Sequence, residues 1–257
     1  MRTPKLAVAS AAVLIALAGC GQTNASGGGD QPGAAATSAA ADPTERVNAA
    51  GRKLSDSSFK FTIESAGMTG GGVRHKPSNS MSMKFAAEAE GQKVNIEMVQ
   101  IDKDMYMKLD LGDLGDDPAA KEMAAALGGW QHVSQDDAES QGMGALAKTG
   151  ADAIGTDMIK GSSNIKETSP GTFTGTLDLS KTTDLDFTDE GTVEALGDKA
   201  KAVPVTFTLD DADRLTSIVI EVPAAGSIKA QKMTVKFADF DKVAQPKAPP
   251  ADQIKER

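Results

Sequence analysis

The side chains of this 257-residue chain that could do chemistry are one cysteine, two histidines and three clusters of carboxylates. The cysteine, Cys20, carries a thiol, which in its ionised form is a nucleophile and a metal ligand. A single thiol excludes an intramolecular disulfide framework and every metal site that needs several cysteines. Two histidines likewise exclude most zinc sites that are built from imidazoles.

Neither histidine lies in a recognisable catalytic motif. His75 lies beside Arg74 and Lys76 in a glycine-rich stretch, and His132 follows Trp130 closely. Either imidazole could act as a general base or be an ordinary surface residue, which is the better interpretation because no nucleophile is identifiable. The sequence contains no G-x-S-x-G elbow, no H-E-x-x-H and no phosphate-binding loop. We predict that the protein is not an enzyme and uses no cofactor.

The acidic clusters favour solvated turns over metal binding. They comprise Asp113, Asp116 and Asp117; Asp184, Asp186, Asp189 and Glu190; and Asp210, Asp211 and Asp213. The first flanks a predicted helix start, where carboxylates interact favourably with the helix dipole. The second loosely suggests calcium, but it lacks the ligand order and the bidentate glutamate of a calcium loop. The third is either a solvated hairpin turn or a weak cation site. We predict no resident metal.

The position of Cys20 indicates covalent lipid attachment. Arg2 and Lys5 precede an apolar stretch over residues 6–17, which is too short to span a bilayer and has the layout of a secretory signal. The stretch ends in Leu17-Ala18-Gly19-Cys20, which resembles the bacterial lipobox, where cleavage precedes the cysteine and the thiol receives a diacylglycerol. The alternative is an ordinary signal peptide with a chance cysteine.

The lipobox interpretation sets the predicted organisation of the chain. Residues 1–19 are a signal peptide, and residues 20–41 are a lipidated cysteine with a flexible Gly/Ala/Ser tether. Residues 42–245 form the folded domain, and residues 246–257 are a disordered tail. We therefore expect a protein that is lipid-anchored on the extracytoplasmic face of the cell membrane.

The net charge of −9 argues against a nucleic-acid partner, because binding to phosphates needs clusters of basic residues. Removal of Arg2 and Lys5 with the signal peptide makes the mature chain more negative still. Anionic headgroups would repel such a body, so the attachment to the membrane must come from the N-terminal acyl chains.

The folded domain opens with a predicted helix and continues with strands. Asp42, Pro43 and Glu45 give a capping pattern, and apolar residues then recur at helical spacing. Alternating apolar and polar residues predict antiparallel strands over residues 59–64, 81–86, 94–98, 105–109, 172–179, 203–209, 215–222 and 233–237. A loop is predicted from Gly70 to Asn79. Helices are predicted from residue 117 to 128, within 135–160 and at 192–200, with a short extended piece at 130–134.

The most informative feature is an apolar sheet face that is rich in methionine. Its predicted members are Met81, Met83, Phe85, Val94, Ile96, Met98, Met105, Met107 and Leu109. Methionine is unbranched and polarizable, so it adapts to irregular neighbours. The face is either an ordinary core with methionine as gap filler or the lining of a pliable cavity for acyl chains.

The order of these features resembles that of the actinobacterial LppX/LprG-type lipoproteins. The resemblance rests on the lipobox, the tether, the opening helix and the four alternating strands. It continues in the Gly-Gly-Trp130 segment, the acidic hairpin over Val203–Leu215 and the last strand from Met233 to Phe240. The resemblance implies an α+β fold: a curved antiparallel β-sheet, or half-barrel, wrapped around helices, similar to the LolA/LolB lipoprotein carriers. It also implies a cavity for acylated lipids or glycolipids.

Two functions remain open from the sequence. The first is a membrane-anchored extracytoplasmic lipoprotein that binds or carries acylated lipids or glycolipids in an apolar cavity. The second is a non-catalytic cell-surface interaction or sensory lipoprotein with a filled core, which would recruit envelope proteins or serve a membrane transporter. A hydrolase or a two-lobed solute-binding protein is disfavoured, because the chain lacks alternating strand–helix units.

Overall fold

A twelve-stranded sheet organises the part of the chain that the computed structural model describes, which is residues 42–89, 92–112, 118, 121–122, 128–134, 151–182, 190–226 and 228–255. These residues all belong to one compact unit, Ala40–Arg257. The predicted signal peptide, Cys20 and the tether lie outside the described residues. So do residues 135–150 and most of the predicted helix over 117–128.

The helices with assigned bounds are α1 (Pro43–Asp56), α2 (Ala151–Lys160) and α3 (Glu190–Leu196). The strands in the first part of the chain are β1 (Phe59–Ser65), β2 (Met68–His75), β3 (Ser80–Ala89), β4 (Gln92–Ile101), β5 (Asp104–Asp110) and β6 (Trp130–Ser134). Those in the second part are β7 (Ser162–Ser169), β8 (Thr172–Leu177), β9 (Val203–Leu209), β10 (Leu215–Val222), β11 (Gln231–Ala238) and β12 (Ile254–Lys255).

The strand order is β12-β6-β5-β4-β3-β2-β1-β11-β10-β9-β8-β7. Neighbours pair antiparallel throughout, except that β12 runs parallel to β6. The pairing of β1 with β11 joins the first run of strands to the second. The fold is thus mainly a large, open, mixed sheet with few helices.

Helix α1 begins where its capping residues predict. The Asp42 carboxylate accepts hydrogen bonds from the backbone amides of Thr44 and Glu45, at 2.8 and 3.2 Å, and Pro43 occupies the first helical turn. These bonds satisfy amides that have no partner within the helix. The apolar face of α1, formed by Val47, Ala50 and Leu54, is buried. Helix α1 packs against α2 and against β7, β9 and β10.

Two glycines bring α1 and α2 close together. A Cβ atom on Gly51 of α1 would lie 2.9 Å from Ile159 Cδ1, and one on Gly155 of α2 would lie 2.5 Å from Leu54 Cδ2. Below the helices the sheet contributes a dense set of buried side chains, which includes Phe59, Phe61, Ile63, Phe173, Phe207, Leu215, Ile218, Val235 and Phe237. The sheet–helix interface is therefore well packed on this half of the sheet.

The prediction of a loop from Gly70 to Asn79 is wrong, because β2 extends from Met68 to His75. Side-chain alternation cannot mark this strand, since Gly70–Gly72 carry no side chains. The space above them is occupied instead: a Cβ atom on Gly70 would clash with the ring of Phe85, and one on Gly72 would come within 2.9 Å of the ring of Phe61. The glycines let these rings lie across the sheet.

The prediction of a disordered tail over residues 246–257 also differs from the structure. Ile254 and Lys255 form β12, which pairs with Trp130 and Gln131 of β6. A short 3-10 helix, Ala251–Gln253, precedes the strand. The prolines that suggest a frayed tail exclude regular helix, but they are compatible with an extended path back to the sheet.

Candidate functional site

The register of the sheet places all nine residues of the predicted apolar face on the same side. Residues that lie opposite each other on neighbouring strands point to the same face. Met83 lies opposite Met98, which lies opposite Met107, and in the adjacent row Ile96 lies between Phe85 and Leu109. The rows continue into β1 through β2, so this side is also the one that carries the buried phenylalanines. We call it the inward face.

Burial divides the nine residues into two groups. Met81, Met83, Met98 and Met105 are buried, with exposed fractions of 8% or less. The remaining five are only partly buried. Together with Met68, which is also partly buried, they form what we call the apolar strip: Met68, Phe85, Val94, Ile96, Met107 and Leu109. The strip crosses four neighbouring strands, β2 to β5, so its members form a contiguous surface.

A cavity of about 80 Å³ lies between the inward face and the helices. Its apolar lining includes Met68, Met158, Leu177, Leu179, Ile220, Val222 and Met233. Its polar lining includes Ser65, Thr182, Thr192, Gln231 and Lys232. None of the nine predicted residues lines this cavity, but Met68 belongs to both the cavity and the apolar strip. The volume is well below the 300–1,000 Å³ of typical ligand pockets.

The residues around this cavity are the part of the candidate site that the sequence does not reveal. Met68 lies on the strand that the glycines obscure, and Met158 lies on α2, in a stretch with only weak helical signals. Met233 is predicted as a strand residue, but its neighbours in space come from other elements. Their common residue type, methionine, is the one signal that could have grouped them.

Both histidines take part in local polar contacts. The Nδ1 atom of His75 lies 2.6 Å from the Ser78 hydroxyl, which lies 2.6 Å from that of Ser80, a buried residue. These contacts connect the short 3-10 helix between β2 and β3 to the ends of both strands. His132 Nε2 lies 2.8 Å from the Asp104 carboxylate, and its ring packs on Tyr106 at 5.1 Å between centroids.

Two carboxylates of the third acidic cluster, those of Asp210 and Asp213, are bound by other groups of the protein. Asp210 accepts hydrogen bonds from the backbone amides of Ala212 and Arg214, at 3.0 and 2.9 Å, and from the Arg214 guanidinium at 2.7 to 2.8 Å. Partial burial alone would raise the pKa of Asp210, but the hydrogen bonds from Arg214 and Ala212 outweigh it and lower the pKa. This cluster closes the hairpin between β9 and β10.

Arg46 connects α1 to strand β7 and to the turn between β9 and β10. Its guanidinium lies 2.7 Å from the Glu167 carboxylate and 2.8 Å from that of Asp213. The backbone amide of Gly171 and the Arg46 side chain together lower the pKa of Glu167. The same guanidinium lies 4.9 Å from the centre of the Phe173 ring. Arg46 therefore positions the helix on the sheet.

The first acidic cluster, with Asp113, Asp116 and Asp117, lies outside the described residues, as does most of the second. Within the described part of the chain, no group of three or more His, Cys, Asp or Glu side chains is arranged to hold a metal ion. In the same residues, no helix is both long and apolar enough to cross a membrane.

Comparison with known proteins identifies no relative: the chain matches no family model, and no characterised protein matches its sequence. A functional assignment must therefore rest on the sequence and on the arrangement of the sheet, the apolar strip and the cavity.

Proposed function

We propose that the protein is a lipoprotein, anchored in the cell membrane on its extracytoplasmic face by acyl chains on Cys20, that binds or carries acylated lipids or glycolipids. The apolar strip is the observation that supports the lipid-binding part of this proposal. A contiguous apolar surface that is only partly covered is characteristic of a binding site. An acyl chain laid along it would gain roughly 25 cal/mol for each Å² of apolar surface removed from water.

The cavity supports the same proposal, because it continues from the strip. Met68 contacts both, so a chain that lies on the strip could insert its end between the sheet and α2. The cavity must widen to take more than a short segment, and methionine side chains allow such widening at low cost. A sheet curved into a LolA/LolB-like half-barrel around this site is part of the proposal.

A carrier of this kind needs no catalytic group. It would take up a lipid through apolar contacts, and release would depend on an acceptor, for which a membrane transporter is the partner that we propose. No nucleic-acid partner is proposed, since the net charge is negative.

The test is direct. Residues 42–257 are expressed without Cys20 in an acid-fast or related actinobacterial host, and the purified protein is examined by native mass spectrometry and by lipid analysis of its organic extract. We expect masses above that of the polypeptide, with matching lipids in the extract. A homogeneous apo mass together with an extract free of lipid would refute the proposal.

The second candidate function is a surface interaction or sensory lipoprotein with a filled core. The tight contacts of Gly51 and Gly155 favour it, as does the small volume of the cavity. The same mass spectrum distinguishes the two, because a filled core predicts only the apo mass. Crosslinking of the anchored protein in intact cells should then capture one envelope protein reproducibly.

A further inference from the structure

Methionine supplies five of the nine residues of the predicted apolar face, on three neighbouring strands of the inward side. On β3, β4 and β5 this face carries Met81, Met83, Met98, Met105 and Met107. On β8 to β11 the same face carries mainly phenylalanine, valine, isoleucine and leucine, such as Phe173, Phe207, Ile218 and Val235. Methionine loses more rotamer freedom on burial than leucine or isoleucine does, so apolar burial alone does not favour it.

Three of these methionines form an uninterrupted row across the sheet. Met83 lies directly opposite Met98, and Met98 lies directly opposite Met107. The Cβ atoms of directly opposed residues are about 4.5–5.5 Å apart. Each methionine has three rotatable bonds beyond Cα, so the three thioether sulfurs can turn towards a common point above Met98.

The surroundings of this row suit a soft, singly charged cation. Met83 and Met98 are 8% and 4% exposed, whereas Met107 is only partly buried and leaves a route of entry. Thioether sulfur is a neutral, soft ligand that prefers Cu(I) over hard divalent ions. A single charge also costs less to remove from water than a double one.

The neighbouring row, which contains Met81 and Met105, is less suitable as a cation site. Met81 and Met105 lie on either side of Gln100, and Met81 lies opposite Arg74. The Arg74 guanidinium donates hydrogen bonds to the carbonyl oxygens of Ser55 and Ser57, which hold its positive charge at the end of this row. Repulsion from this charge favours the row of three methionines as the position of a cation.

We propose that Met83, Met98 and Met107 form a binding site for Cu(I), with three thioether sulfurs as ligands. Because thioethers have no proton to lose, binding is independent of pH between about 5 and 8. The site shares the inward face with the proposed lipid surface, but it does not require lipid binding.

The test uses Ag(I), an air-stable probe for Cu(I), with the full chain carrying Cys20→Ser so that no thiol competes. The lipid-free protein is titrated with silver nitrate in chloride-free buffer and followed by native mass spectrometry. We expect one retained Ag(I) ion. The triple variant Met83→Leu/Met98→Leu/Met107→Leu keeps the apolar character and nearly the volume of the row, and we expect it to bind at least tenfold more weakly.

The matched control is Met68→Leu/Met233→Leu, which removes two methionines from the cavity and should leave Ag(I) binding unchanged. Methionine labelled with ¹³C at the methyl group provides a readout that needs no substitution: Ag(I) should shift the signals of Met83, Met98 and Met107 first. The proposal is overturned if the parent retains no ion, if the triple variant binds as tightly, if the control loses binding equally, or if other methionine signals shift first.

Discussion

Gly155 of α2 lies so close to Leu54 of α1 that a Cβ atom on the glycine would come within 2.5 Å of Leu54 Cδ2. Leu54 is 1% exposed, so it has little room to move away. The same added atom would lie 3.5 Å from Phe237 and 3.6 Å from Leu215, both on the sheet. Gly155 therefore sets the distance between the two helices and the sheet.

We expect Gly155→Ala to destabilise the protein. Overpacking of a core costs about 1–3 kcal/mol, and the higher helix propensity of alanine offsets at most about 1 kcal/mol of that. The predicted net loss is up to about 2 kcal/mol in the free energy of unfolding, measured by urea denaturation. Gly191→Ala, at an exposed position of α3, is the control and should be neutral or stabilising. Equal stability of Gly155→Ala and the parent would show that the helices can separate without cost.

The sequence predicts much of the sheet, because most strands alternate apolar and polar side chains. β3 is recognisable from Met81, Met83 and Phe85. β2 is not, because the need for Gly70 and Gly72 arises from rings on the two neighbouring strands. β7 is also missed, since this edge strand buries only Ile165 and is otherwise polar.

The candidate site is predictable only in part, for a similar reason. Which residues share a face within one strand follows from their odd or even spacing, and the expectation that the apolar faces of neighbouring strands coincide groups the methionines of β3, β4 and β5 on one side of the sheet. The cavity depends on tertiary packing: Met158 reaches it from α2, and Met68 reaches it from the strand that the glycines obscure. No local pattern connects these two residues.

A charge on the apolar strip should abolish lipid retention. Ile96 lies in the middle of the strip, between Phe85 and Leu109, and Asn95 is the next residue on the opposite face of the same strand. Because an ammonium group is costly to desolvate, we expect Ile96→Lys to lower lipid occupancy in native mass spectra at least tenfold. Asn95→Lys should retain the parent's occupancy. A similar loss of lipid occupancy in both variants would mean that disruption of the strand, and not a charge on its inward face, prevents lipid binding.

Acid should weaken the hairpin that Asp210 closes. Its pKa is lowered in the folded protein, chiefly because hydrogen bonds from Arg214 outweigh the opposing effect of burial. The stabilisation is therefore present above the unfolded pKa of about 3.9 and is lost as the pH falls through the lower folded value. Asp210→Asn should cost about 1–2 kcal/mol at pH 7 and progressively less below pH 4.

Urea denaturation over a series of pH values measures this difference between the parent and the variant. Asp211→Asn is the control, since the Asp211 side chain is exposed and makes no hydrogen bond within the described part of the chain. A difference for Asp210→Asn that does not vary with pH would show that the carboxylate's charge is not what stabilises the turn.

Substitution of Cys20 should release the protein from the membrane. Two or three acyl chains give firm anchoring, so we expect the parent to fractionate with membranes and to carry the mass of a diacylglyceryl group. Cys20→Ser should lack that added mass, whereas Gly21→Ser should keep it. Unchanged mass and fractionation in Cys20→Ser would refute lipidation at this residue.

The last strand can be followed through the chain's one tryptophan. Ile254 of β12 lies beside Trp130 of β6, and both are partly buried. Because Ile254 is the register partner of Trp130, we expect Ile254→Ala to shift Trp130 fluorescence to longer wavelength and to cost about 0.2–1 kcal/mol in the free energy of unfolding. Gln253→Ala, one residue earlier and exposed, should change neither. An unchanged spectrum in Ile254→Ala would show that β12 does not pair stably with β6 in solution.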